Sequence, residues 1–161
     1  MIIAGIAVFG AVGGWYMLQP KGNAPDFSLT DLEGNSLRLR DFRGKVVLLD
    51  FMATWCGPCA LSMPVLHSIH SEYGNRIVMI SIGMDPMFDT EERLQHWVNY
   101  WEAAWIHARD IADPPVAQLY EAMSIPKYVI IDEKGDIRFT YVGYRQIEEI
   151  LSREISSLLE E

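Results

Sequence analysis

Residues 46–59 constrain the fold of this chain more than any other stretch. Val46-Val47-Leu48-Leu49-Asp50-Phe51 is a nearly continuous apolar run containing β-branched residues, the pattern of a strand covered on both faces. Trp55-Cys56-Gly57-Pro58-Cys59 follows almost at once and contains both cysteines of the chain. The cysteines therefore sit at the end of a buried strand, where a helix begins. A structural disulfide stabilises by restricting the unfolded chain, and a four-residue loop gains little from that. The spacing points instead to redox catalysis or metal binding.

The neighbouring residues bear on that choice. Unpaired N–H groups and the helix dipole favour a thiolate at the first turn, which is where Cys56 falls. Pro58 suits an early helical position, because its missing N–H forfeits no hydrogen bond there. Cys59 lies one turn further in and is expected to be less exposed. This asymmetry makes Cys56 the attacking thiol and Cys59 the resolving one. Asp50 interrupts the apolar strand six positions before Cys56. Desolvation there raises its proton affinity and suits it to proton exchange near neutral pH. Pro126, in Ser124-Ile125-Pro126, precedes another apolar run. It is either a device that sets chain direction or, if cis, one that exposes the Ile125 backbone to an extended substrate.

The remaining pattern predicts an α/β layer architecture. Residues 27–30 and 36–39 alternate around Asp31-Leu32-Glu33-Gly34-Asn35, a hairpin signal. Residues 57–73 show helical spacing at Leu61, Val65, Leu66 and Ile69. A second buried-type strand covers 77–82. Leu94, Trp97, Val98, Trp101 and Trp105 fall on one face of a helix, which favours packing over partner binding. The loop Met84-Asp85-Pro86-Met87-Phe88 is the better candidate for an exposed apolar contact. A short helix is expected over 115–123, a second hairpin over 128–132 and 137–142, and a closing amphipathic helix over 147–159.

Residues 1–18 carry no charged side chain and are apolar or glycine throughout. Roughly 17–25 such residues span a bilayer as a helix. Trp15 and Tyr16 stand where amphipathic rings settle at the interface. A cleavable signal peptide lacks its basic leader here, and Gly5, Gly10, Gly13 and Gly14 make a poor soluble helix. The division expected is a membrane anchor over 1–19, a linker over 20–25 and one domain over 26–161. Lys21 follows the segment and only the α-amine precedes it, so charge says little about orientation. Thirteen basic against twenty-two acidic side chains give a net charge of −9, without a basic cluster. That balance argues against nucleic acid as a partner.

Asp50, Trp55-Cys56-Gly57-Pro58-Cys59 and Ile125-Pro126 together resemble the thioredoxin superfamily. Ala24-Pro25-Asp26-Phe27-Ser28-Leu29, Gly44-Lys45-Val46-Val47-Leu48-Leu49 and Ala53-Thr54-Trp55 resemble more closely the membrane-anchored thiol-disulfide oxidoreductases of the TlpA/ResA type. The resemblance implies a thioredoxin-like fold with an N-terminal β-hairpin extension and an inserted central helix, preceded by a transmembrane helix. It also implies a cis Pro126 facing the cysteines, with Trp55, Gly57, Pro58, Ile125 and Pro126 contacting substrate. The activity implied is reduction of protein disulfides outside the cytoplasm, fed by an upstream thiol donor. The redox group is the Cys56–Cys59 disulfide itself, with no other cofactor and no metal. Two departures stand out: many anchored relatives carry asparagine at Asp50, and thioredoxins usually carry threonine at Lys127. Lys127 either adds positive charge near the cysteines or points into solvent. Two other readings remain open. One is a thiol peroxidase, whose usual Thr-x-x-Cys is absent here. The other is a copper carrier using Cys56, Cys59, Met63 and His67.

Overall fold

In the computed structural model, residues 22–161 are described in full, along with the backbone of two three-residue strands, β1 (Ala7–Phe9) and β2 (Trp15–Met17). Ala7–Phe9 and Trp15–Met17, expected within a membrane-spanning helix, are instead strands paired with each other and with the domain sheet. The rest of the segment expected to form the anchor lies outside the described residues. Among the described residues, no helix is long and apolar enough to cross a membrane.

The hairpin β3 (Ser28–Thr30) and β4 (Ser36–Arg38) forms as expected. Its turn closes on Asp31, whose Oδ1 accepts the backbone N–H groups of Glu33 and Asn35 at 2.9 and 2.8 Å. The seven residues of β5 (Val46–Met52) are all buried, so this strand can only be central. It pairs in parallel with β6 (Ile77–Gly83) and antiparallel with β8 (Lys127–Ile131). β7 (Ile106–Arg109) extends the sheet beyond β6, and β9 (Ile137–Val142) extends it beyond β8. β2 pairs with β9, and β1 with β2.

Side-chain alternation sorts the sheet into two cores. Val46, Leu48 and Met52 face α1 (Gly57–Tyr73) and α4 (Ile147–Leu159), with Leu94 and Trp97 of α2 (Glu91–Trp101) joining that layer. Val47, Leu49 and Phe51 face the β3–β4 hairpin and the short α3 (Val116–Leu119). Burying one such aliphatic or aromatic side chain stabilises by about 1.5–3 kcal/mol, so the two layers hold the fold together from both sides. Asp110, buried, starts α3 by accepting the N–H groups of Val116 and Ala117 at 2.8 and 2.7 Å. The described part of the linker is tied down: Ala24 donates to the Gly135 carbonyl and Ile137 to the Gly22 carbonyl.

Two helical expectations need correction. Leu61, read as a core position of α1, is 62 % exposed, and the buried face runs instead through Cys59, Ser62, Met63, Leu66, Ile69 and Tyr73. Trp105, read on the same helical face as Trp97 and Trp101, is not in that helix. Glu102 takes a left-handed conformation (φ 51°), its N–H bonds back to the Val98 and Asn99 carbonyls, and α2 stops. Trp105 therefore belongs to the segment leading into β7.

Candidate active site

Strands β5, β6 and β7 run parallel, so the loops that follow them all leave from one edge of the sheet. The first carries the cysteines. Cys56 is the N-cap of α1, and its Sγ accepts the backbone N–H of Cys59 at 3.2 Å. Pro58 sits within the first two helical positions, as expected. The two sulfurs are joined in a disulfide with Cα atoms 5.2 Å apart. The expected contrast in exposure is small, since Cys56 is 5 % and Cys59 3 % exposed. What separates them is location: Cys56 holds the helix cap, while Cys59 lies one turn inside α1. Trp55, Gly57 and Pro58 form the outer face of the loop, all three exposed.

Asp50 lies on the face of β5 that α1 covers, in alternation with Leu48 and Met52. Its carboxylate is buried, and the Ser81 hydroxyl donates to Oδ2 at 2.7 Å. Burial pushes its proton affinity up to about 7 against the opposing pull of that hydrogen bond. Tyr128 stands directly opposite Asp50 across the β5–β8 ladder. Burial, then the Asp50 carboxylate, push its phenol well above the usual value, so Tyr128 stays protonated.

Ile125-Pro126 is a cis peptide. Lys127 pairs with Phe51, so Ile125 and Pro126 lie level with the end of β5, at the sheet edge from which the cysteine loop departs. Pro126 is buried, while Ile125 is half-buried and packs against both cores. Lys127 follows neither course anticipated for it. Its side chain is buried and donates to the Tyr120 and Glu121 carbonyls at 2.6 and 3.1 Å, beyond the end of α3.

A set of contacts that the pattern of the sequence did not announce braces the loop. Asp89, fully buried, accepts the Thr54 N–H and hydroxyl at 2.8 and 2.7 Å. Asp85 accepts the Trp55 indole N–H at 3.1 Å. Arg109 ties the same segment down through the carbonyls of Asp89 and Pro86, each at 2.9 Å. Such contacts join the loops after β5 and β6 to each other and to the end of β7, segments far apart in the chain, and no local pattern announces them. Met87 and Phe88, on this braced loop, are 92 % and 45 % exposed, in keeping with the apolar contact expected there. Of the residues considered for copper, Met63 shares the buried layer of Cys56 and Cys59, while His67 is engaged elsewhere. Met63 is packed in the core, and His67 pairs through Nε2 with the Trp101 carbonyl at 2.5 Å.

Residues 20–140 match the AhpC/TSA family. The chain belongs to that family. It is 31 % identical to the thioredoxin-like protein YneN of Bacillus subtilis, over 88 % of this chain and 89 % of the relative. It is 28 % identical to the thiol-disulfide oxidoreductase ResA of Bacillus cereus, over 100 % of this chain and 88 % of ResA. Among solved structures, a Chlorobium tepidum protein described as a candidate thiol:disulfide interchange protein DsbE superposes with a TM-score of 0.78 at 28 % identity, covering 88 % of this chain and 99 % of that one. Within the AhpC/TSA family the chain is a thioredoxin-like member of the TlpA/ResA kind, and its activity is thiol-disulfide exchange.

Proposed function

We propose that this thiol-disulfide oxidoreductase is held at the cell membrane by its apolar N-terminal segment and reduces disulfides of proteins outside the cytoplasm. The observation that carries the chemistry is Cys56 at a helix cap, its sulfur facing a backbone N–H, with the buried Asp50 carboxylate on the face of β5 that the helix covers. The Cys56 thiolate attacks one sulfur of a substrate disulfide, forming a mixed disulfide and releasing the first substrate thiolate. Cys59 gives its proton to Asp50 and attacks Cys56 Sγ, which releases the second substrate thiolate. The product is the Cys56–Cys59 disulfide, the state seen here. Two electrons have passed to substrate, and an upstream dithiol donor must return them. No other cofactor is required by this cycle.

Recognition, in this reading, uses the exposed Trp55, Gly57 and Pro58 on one side and the Ile125–Pro126 backbone on the other. Main-chain pairing at such an edge tolerates varied side chains, which suits protein substrates. The apolar, uncharged residues 1–18 support the anchor, and the placement outside the cytoplasm follows from the family resemblance. Cys59→Ser in the native membrane should accumulate mixed disulfides on Cys56, and the wild-type chain should reduce insulin disulfides. A Cys59→Ser protein that traps no partner, paired with a wild type inactive on insulin, would overturn the proposal.

A further inference from the structure

Five strands place polar side chains in one transverse line. Tyr141 pairs with Tyr128, Tyr128 with Asp50, Asp50 with Ser81, and Ser81 with His107. All five are buried, and alternation puts them on the face covered by α1. A buried polar row in an otherwise apolar layer is unfavourable unless its members bond one another or serve the site. Only part of this row is used by the exchange cycle.

Hydrogen-bond direction along the row is not free. The Trp105 indole donates to Ser81 Oγ at 2.9 Å, and an indole N–H can do nothing but donate. Ser81 has one hydroxyl hydrogen, and with Trp105 supplying a donor it is directed at Asp50 Oδ2, 2.7 Å away. Trp105 is itself fixed. Its carbonyl pairs with His107 Nδ1 at 2.8 Å, its ring stacks on His107, and His67 and His70 of α1 lie against it with centroids 5.2 and 5.6 Å away.

We infer that Ser81 and Trp105 are positioning residues for the Asp50 proton step. The indole fixes the Ser81 hydroxyl, the hydroxyl keeps Oδ2 an acceptor, and the proton leaving Cys59 Sγ is received on Oδ1. The pair does not relay protons, because the indole cannot accept one. It sets the pH at which Asp50 exchanges its proton, by favouring the ionised carboxylate that burial disfavours. The other ionisable groups on this face are Cys56 and Cys59 with His67, His70 and Tyr73 on α1, Tyr128 on β8, Tyr141 on β9 and His107 on β7. Burial pushes His107 down to about 4, so it is neutral throughout the working range.

This inference rests on the reading of Asp50 as the acceptor of the Cys59 proton, and two measurements on the reduced full chain separate the two ideas. The first is the carbon-13 titration of the Asp50 carboxyl; the second is the pH profile of insulin-disulfide reduction. Ser81→Ala should move the Asp50 midpoint upward by about one pH unit, as loss of a hydrogen bond to a charged group implies. Trp105→Phe, which keeps the hydroxyl but frees its rotation, should move it in the same direction by less. Ser81→Thr should return the midpoint to near the wild-type value. The activity profile should move with the titration. A midpoint unmoved or lowered in Ser81→Ala overturns the inference. Should that variant fail to fold, an unmoved midpoint in Trp105→Phe overturns it instead. A shift in Ser81→Ala without one in Trp105→Phe removes the part assigned to the indole. If Asp50→Asn leaves the activity profile unchanged, the reading of Asp50 fails, while the carboxyl titration still decides what Ser81 and Trp105 do.

Discussion

Asp50 and Lys127 are buried on opposite faces of the same sheet, one residue out of step across the β5–β8 ladder, and their surroundings treat them in opposite ways. On the hairpin face, the Lys127 ammonium finds two carbonyls just beyond the end of α3, and burial lowers its proton affinity. On the α1 face, Asp50 has one hydroxyl donor, and burial brings its proton exchange to about pH 7. Lys127 is a structural peg, while Asp50 is left underbonded beside a redox pair. Burial alone does not identify a functional charge; how completely the charge is satisfied does.

The largest expected effect tests the underbonded side. Asp50→Asn should slow insulin-disulfide reduction at pH 7 by about 10²-fold, the lower range for removing a general base, and flatten the pH profile. The same variant should be more stable than wild type at pH 8, because the folded protein no longer buries a carboxylate. With the folded-state value near 7 against 3.8 unfolded, the native protein holds the extra proton between those limits. Stability therefore falls as pH rises through that window, by up to roughly 3–4 kcal/mol, and denaturant titration at pH 4 and 8 should show the difference between the variants. His107 works the other way. Its native value near 4 against 6.5 unfolded means the native state binds fewer protons, so stability rises as pH rises from 4 to 6.5. The two slopes oppose each other between about pH 4 and 6.5 in the wild type. His107→Phe should expose the Asp50 slope alone and Asp50→Asn the His107 slope alone, each worth about 2–3 kcal/mol across the window.

The peg should behave otherwise. Lys127→Met leaves the Tyr120 and Glu121 carbonyls without their donor and should cost about 1–3 kcal/mol in chemical denaturation. Its activity per folded molecule should stay within twofold of wild type; a tenfold loss would mean that Lys127 acts at the cysteines after all. The smallest effect is expected at Leu61→Ala. An exposed side chain on α1 should change stability by no more than about 0.5 kcal/mol, where Leu66→Ala in the α1 core should cost about 2–5 kcal/mol.

Much of this was legible in the sequence wherever chemistry is local. The apolar run at 46–51 specified a central strand, the Cys-Gly-Pro-Cys spacing specified a helix start, and a lone aspartate within the run marked a buried acid. Both hairpins and α4 were readable from alternation and helical period. Leu61 was misassigned because α1 rotates its buried face toward Cys59, Ser62 and Met63, mixing small polar residues into the stripe. Lys127 was misread because its partners are backbone carbonyls, which every residue has and no motif announces. The bracing by Asp85, Asp89 and Arg109 went unseen for a related reason: their contacts join loops that meet only when the strand ends converge.

Glu102 carries a consequence beyond ending a helix. Had α2 run on for another turn, Trp105 would have stayed on its stripe with Trp97 and Trp101 and never met Ser81. One left-handed backbone torsion, at a position with no chemistry of its own, therefore decides which aromatic ring reaches the hydroxyl bonded to Asp50. In a chain built this way, a change in where a helix stops is heritable as a change in redox pH response, with every reacting residue left intact.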